Sequence, residues 1–112
     1  MTLSFENYTH GTTITAIYPD PHTDFTYPAL GLSGEAGEVC EKIKKHIRKN
    51  GNAPLTEALK ADLVLELGDV LYYLARLALV CGVTLQEVAE QNQHKLLSRK
   101  DRDVLHGDGD NR

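Results

Sequence analysis

Four carboxylates stand in two short pairs along this chain. Glu35 and Glu38 lie in GLSGEAGEVCEKIKKHIRK, and Glu66 and Asp69 lie in LKADLVLELGDVLYYLARLAL. Each pair has i, i+3 spacing in a segment of helical character, so its two members share one helix face. Four negative charges gathered beside an apolar core repel one another. A cation is needed to hold them together, and hard oxygen ligands suit Mg²⁺ or Mn²⁺. The chemistry such a centre serves is metal-assisted reaction of a phosphate-bearing substrate.

At about 100° per residue, Glu35, Glu38, Lys42 and Lys49 form one helix stripe, with Lys45 at its edge. Glu66, Asp69 and Tyr73 lie together on the next helix, with Asp62 one turn before Glu66. The connection at residues 50–55 is short enough for an antiparallel hairpin that sets the two pairs face to face. Taken singly, either pair also reads as solvent-facing, with Glu38 and Lys42 an ordinary i, i+4 ion pair. Glu66 and Asp69 interrupt a stretch whose neighbours Leu63, Leu67 and Val70 have the pattern of buried positions, and buried acids need partners.

The periodicity predicts an all-α chain of four helices. Residues 1–18 suit a helix capped by Ser4, with Phe5 and Tyr8 on one face, although GTTITAIY has strand propensity. Residues 19–28 (PDPHTDFTYP) read as a loop carrying His22, Phe25 and Tyr27, aromatics that could line a base pocket or simply pack. A second helix is expected over 29–49. Its Gly31, Gly34 and Gly37 each cost about 1 kcal/mol against Ala, which points to close approach by another helix, a metal or a phosphate. A third helix starts near Thr56 and ends at Cys81 and Gly82. It is apolar on nearly every side, as a central or interfacial helix is. Thr84 and Glu87 make a capping box for the fourth, which runs to about Lys100. Residues 101–112 form a polar tail expected to be mobile or to pack on a partner, and residues 1–100 form one domain.

The 112 residues carry 12 basic and 16 acidic side chains, a net charge of −4, which disfavours nucleic acid as a partner. Cys40 and Cys81 lack metal-ligand spacing and are expected to be buried and reduced. No signal peptide or membrane-length apolar run is seen, so a cytoplasmic protein with no membrane partner is expected.

The pattern E-x-x-E, 27 residues, E-x-x-D resembles the signature of the MazG-type all-alpha nucleoside triphosphate pyrophosphohydrolases. The words GLSGEAGEVCEKIKK and ELGDVLYYLA resemble the family's two motif helices, and NQHKLLSR resembles its last motif. The resemblance covers roughly residues 5–99. It implies a four-helix MazG-like bundle assembling as a homodimer or homotetramer, and Mg²⁺-dependent hydrolysis of a nucleoside triphosphate to monophosphate and pyrophosphate. Carried over by position, Glu35, Glu38, Glu66 and Asp69 are metal ligands and the catalytic set. Lys95 and Arg99 bind phosphate oxygens, Tyr73 faces the sugar or base, and Asn92 contacts nucleotide. Some members carry a further Glu directly before the first acid. Gly34 stands there here, which leaves the general base to one of the four carboxylates or to hydroxide on the metal.

The reading from sequence is therefore an Mg²⁺-dependent pyrophosphohydrolase that clears (deoxy)nucleotides. Its rivals are a strict dUTP or dCTP pyrophosphatase and a helical metal- or nucleotide-binding module without turnover. For Lys95 and Arg99 the alternative is a solvated helix end whose cations complement the dipole.

Overall fold

The computed structural model describes residues 2–112. Four helices follow one another: α1 (Phe5–Thr15), α2 (Thr26–Asn50), α3 (Glu57–Val80) and α4 (Leu85–Asp101), with no strand among the described residues. Three of the four starts are set by a hydroxyl accepting from an otherwise orphaned backbone N–H. Ser4 takes Asn7 at 3.0 Å, Thr56 takes Leu59 at 3.1 Å, and Thr84 takes Glu87 at 3.0 Å. The Glu87 carboxylate accepts from the Thr84 N–H at 3.2 Å, completing the capping box.

The expected loop 19–28 is shorter than its composition implies, because α2 begins at Thr26. The Asp24 carboxylate accepts from the N–H groups of Tyr27 (2.9 Å) and Thr26 (3.1 Å). These bonds, Tyr27's first, hold the Asp24 carboxyl below its usual range. Pro28 falls in the first helical turn, where a missing N–H costs nothing. Gly51 and Gly82 follow α2 and α3 at φ +60° and +75°, a region that favours glycine.

Helices α2 and α3 form the hairpin expected of the short connection and share the largest helix–helix interface. The turn is clasped by His46, a buried side chain whose Nε2 lies 2.8 Å from the Ala53 carbonyl and whose Nδ1 lies 3.3 Å from the Asn50 amide nitrogen. Helix α3 also meets α1 and α4, whereas the α2 backbone approaches that of α3 alone among the described helices.

The apolar core is small: Ala75, Ala78 and Leu85, with Tyr8, Leu71 and Val83 packed on them. The radius of gyration is 17.0 Å, against about 13 Å for a compact domain of this length. Leu67, expected to be buried, is 55 % exposed, and Val64 and Leu65 are exposed beside it. No described element covers these flanks of α3, Val64 and Leu67 on one and Leu65 on another. Cys40 and Cys81 are free thiols, as expected, but exposed rather than buried, because each stands on a helix flank or end that no other element overlies.

The tail also departs from expectation. It folds back on α4 and the residues after it: the Arg112 guanidinium donates to the carbonyls of Val104 and Leu105, both at 2.9 Å, and the Arg99 Nη2 donates to Asp110. Two arginines with several donors each give a short polar segment enough partners to settle locally.

Candidate active site

The hairpin sets the two acidic motifs opposite each other. One carboxylate oxygen from each of Glu35, Glu66 and Asp69 lies within 4.8 Å of the others. Glu35 and Glu66 are half-buried and Asp69 is exposed. Partial burial, then Asp69, Glu66 and Glu38 in that order, raises the Glu35 carboxyl above the ordinary glutamate range. Like charges at this spacing repel by on the order of 3 kcal/mol per pair at an effective dielectric of about 20, and less where water reaches them. Three oxygen donors from two facing helices suit a hard divalent cation, so the donor set fits Mg²⁺ or Mn²⁺.

Glu38 is exposed one turn along α2 and does not join the three converging oxygens. Lys42, which could have paired with Glu38, instead reaches across the hairpin to Glu66, Nζ to Oε1 at 3.6 Å. It offsets part of the cluster's charge from the side of the fold.

A cavity of about 350 Å³ opens beside the acids, lined by Thr15, Glu35, Asp69, Tyr72 and Tyr73. Tyr73 stands against Gly31. A Cβ at residue 31 would fall 2.4 Å from the ring, so this glycine answers a close approach. No neighbouring atom within 4 Å would meet a Cβ at Gly34 or Gly37. Tyr72 packs edge-on against Tyr73 at 5.0 Å, and Tyr27 lies 6.4 Å from Tyr73. Burial first, and then Tyr27, Tyr72 and Glu35, push the Tyr73 phenol up. Tyr8 of α1 is also raised, by burial and then by Asp69.

The cations and Asn92 stand elsewhere in the chain. Asn92 and Lys95 line a separate open cavity of about 700 Å³ along α4, with Val83, Val88 and His94. Arg99 is 4 % exposed, and its Nη2 donates to the Asp110 carbonyl at 2.9 Å and to Oδ1 at 3.1 Å. Lys95 lies 3.6 Å from the same Oδ1. Arg99 first, and then Lys95, hold the Asp110 carboxyl below its usual range.

Sequence reasoning passed over Thr15, Tyr72, the Lys42–Glu66 pair and Asp110. Tyr72 had a signal, being a polar group inside the most apolar helix. Asp110 had none, since nothing in a run of Gly and Asp says which basic residue it will meet.

The architecture is all-helical among the described residues, with three carboxylates converging from a helical hairpin into a donor set that suits a divalent cation. The family model described as MazG nucleotide pyrophosphohydrolase domain matches residues 26–104. The chain belongs to the MazG nucleotide pyrophosphohydrolase family. It is also similar to the Gene 37 protein of Mycobacterium phage L5, at 46 % identity over 103 residues, covering 88 % of this chain and 90 % of that protein. No solved structure matches the chain. No described helix is long and apolar enough to cross a membrane.

Proposed function

We propose that the protein is a Mg²⁺-dependent nucleoside triphosphate pyrophosphohydrolase that clears surplus or non-standard (deoxy)nucleotides. The observation that carries this reading is the convergence of Glu35, Glu66 and Asp69 within 4.8 Å from two facing helices. In the reaction, water adds to phosphorus, an anhydride bond breaks, and monophosphate and pyrophosphate leave.

Glu35, Glu66 and Asp69 would hold the cation, with Glu38 from the adjacent turn of α2 as a fourth carboxylate, and a divalent ion there would supply neutralisation of phosphate charge and a lowered pKa for water. Lys95 and Arg99 supply charge-assisted hydrogen bonds to phosphate oxygens, Arg99 in a fork. Tyr73 walls the cavity beside the acids and faces the nucleoside, and Asn92 contributes an amide from α4. No carboxylate precedes Glu35, so a proton from the attacking water goes to one of the cluster's own acids.

A second copy of the chain belongs to this reading, as a homodimer or homotetramer. The protomer is expanded, Val64, Leu65 and Leu67 are uncovered, and the α4 groups line a different cavity from the acids. Assembly would cover the apolar face and can bring α4 of one copy toward the acids of another.

The test is pyrophosphate release across a panel of ribo- and deoxynucleoside triphosphates, with and without Mg²⁺. Release that needs Mg²⁺ supports the reading. Release from dUTP or dCTP alone replaces it with the strict pyrophosphatase, and binding without release replaces it with a non-catalytic module.

A further inference from the structure

Arg76 takes no part in the site as described. It is fully buried, at 0 % exposure, two helical turns after Asp69 on the same side of α3. Its Nε donates to the Tyr18 hydroxyl at 3.2 Å, its Nη1 to the Thr12 hydroxyl at 3.2 Å, and its Nη2 to the Pro21 carbonyl at 2.7 Å. All three acceptors are neutral, and no ion pair among the described residues includes it. A guanidinium buried without a carboxylate is a poor choice for filling space, since an apolar side chain of similar volume serves stability as well or better. Its three acceptors diverge onto α1 and the connector between α1 and α2. That geometry needs a planar fork rather than the single nitrogen of lysine.

One of those acceptors leads to the acidic cavity. Tyr18 stacks on Tyr27 with ring centroids 4.3 Å apart and planes 14° from parallel. Tyr27 lies 6.4 Å from Tyr73, which lines the cavity with Glu35 and Asp69. We infer that Arg76 is a positioning residue: by holding the Tyr18 hydroxyl it fixes the stacked Tyr18–Tyr27 pair, and through it the tyrosine wall that receives the substrate's nucleoside. The kinetic arm of its test rests on the pyrophosphohydrolase reading above; the spectroscopic arm does not.

The test compares Arg76→Met, Arg76→Lys, Tyr18→Phe and Thr12→Val with the unaltered chain. Steady-state kinetics on the best triphosphate are read beside melting temperature and the near-ultraviolet circular dichroism of the tyrosines. Arg76→Met should raise KM about tenfold or more with kcat held within about twofold, and weaken the tyrosine signal. Lysine should not restore it. Tyr18→Phe, read by kinetics alone because it removes a chromophore, should raise KM the same way, by less. Thr12→Val removes an anchor that does not reach the tyrosines, and should leave KM and the tyrosine signal alone. If Thr12→Val raises KM as much as Tyr18→Phe, Arg76 is only a structural clamp and the inference fails. It also fails if folded Arg76→Met keeps the original KM and spectrum. Should Arg76→Met not fold, an unchanged KM in Tyr18→Phe overturns it. If the unaltered chain releases no pyrophosphate, the functional reading falls, and the dichroism of Arg76→Met and Arg76→Lys against Thr12→Val, all of which keep every tyrosine, still decides whether this clamp sets the tyrosine wall.

Discussion

Among single residues, Glu35 ties stability and chemistry together. Its carboxyl is raised by burial and by three neighbouring acids, Asp69 foremost. The folded chain therefore holds this proton more tightly than the unfolded one. The stability gained from that is present below the ordinary glutamate value and is lost as pH climbs through the raised one. At neutral pH without metal, Glu35→Gln should melt no lower than the unaltered chain, and higher if repulsion dominates. Mg²⁺-dependent turnover should fall by roughly 100-fold or more, about 3 kcal/mol of transition-state stabilisation. A variant with full turnover would remove Glu35 from the site. Asp110 works in the other direction. Its carboxylate occupies Lys95 and Arg99, and its depressed carboxyl keeps the contact charged until pH falls through the lowered value. Asp110→Asn should release Lys95, loosen Arg99, which keeps its bond to the residue-110 carbonyl, and lower KM for a triphosphate severalfold, while Lys95→Ala should reduce kcat/KM roughly tenfold or more. An unchanged KM in the first with a loss in the second would leave phosphate binding standing and make the tail contact incidental.

Among the elements, α2 shows what the sequence discloses and what it withholds. The i, i+3 acids, the short connection and the capping residues Ser4, Thr56 and Thr84 were legible, because each is a local rule of spacing or hydrogen bonding. The start of α2 was not, because Asp24 acts across a stretch rich in Pro and Thr that reads as loop. The three glycines looked equivalent and are not. Gly31→Ala should destabilise by about 1–3 kcal/mol, since the added methyl meets the Tyr73 ring. Gly34→Ala and Gly37→Ala meet no atom within the protomer, and should each stabilise an isolated protomer by up to about 1 kcal/mol. Thermal melting orders the three. If Gly34→Ala or Gly37→Ala melts lower, another chain or a ligand approaches that face in solution. Which side of α3 is covered was likewise unreadable, because a helix apolar all round has no single face for periodicity to name.

For the whole molecule, the deciding quantity is how little the protomer buries. Among the described residues the buried apolar side chains are Ala16, Pro28, Ala75, Ala78 and Leu85, while Leu30, Val64, Leu65 and Leu67 face outward. Sedimentation at micromolar concentration should find an oligomer, and Leu65→Arg should shift it toward protomers and lower its melting temperature. A fully active monomer would reverse the assembly reading. The hairpin turn, clasped by His46 on the Ala53 carbonyl, bears on which changes of length a gene for this protein can carry. One codon added within α2 between Glu38 and the turn would rotate the first acid pair by about 100° away from the second. The same codon added among residues 52–55 would lengthen a surface loop at little cost. Insertions and deletions in descendants of this chain should therefore gather in the turn and spare the two helices on either side of it.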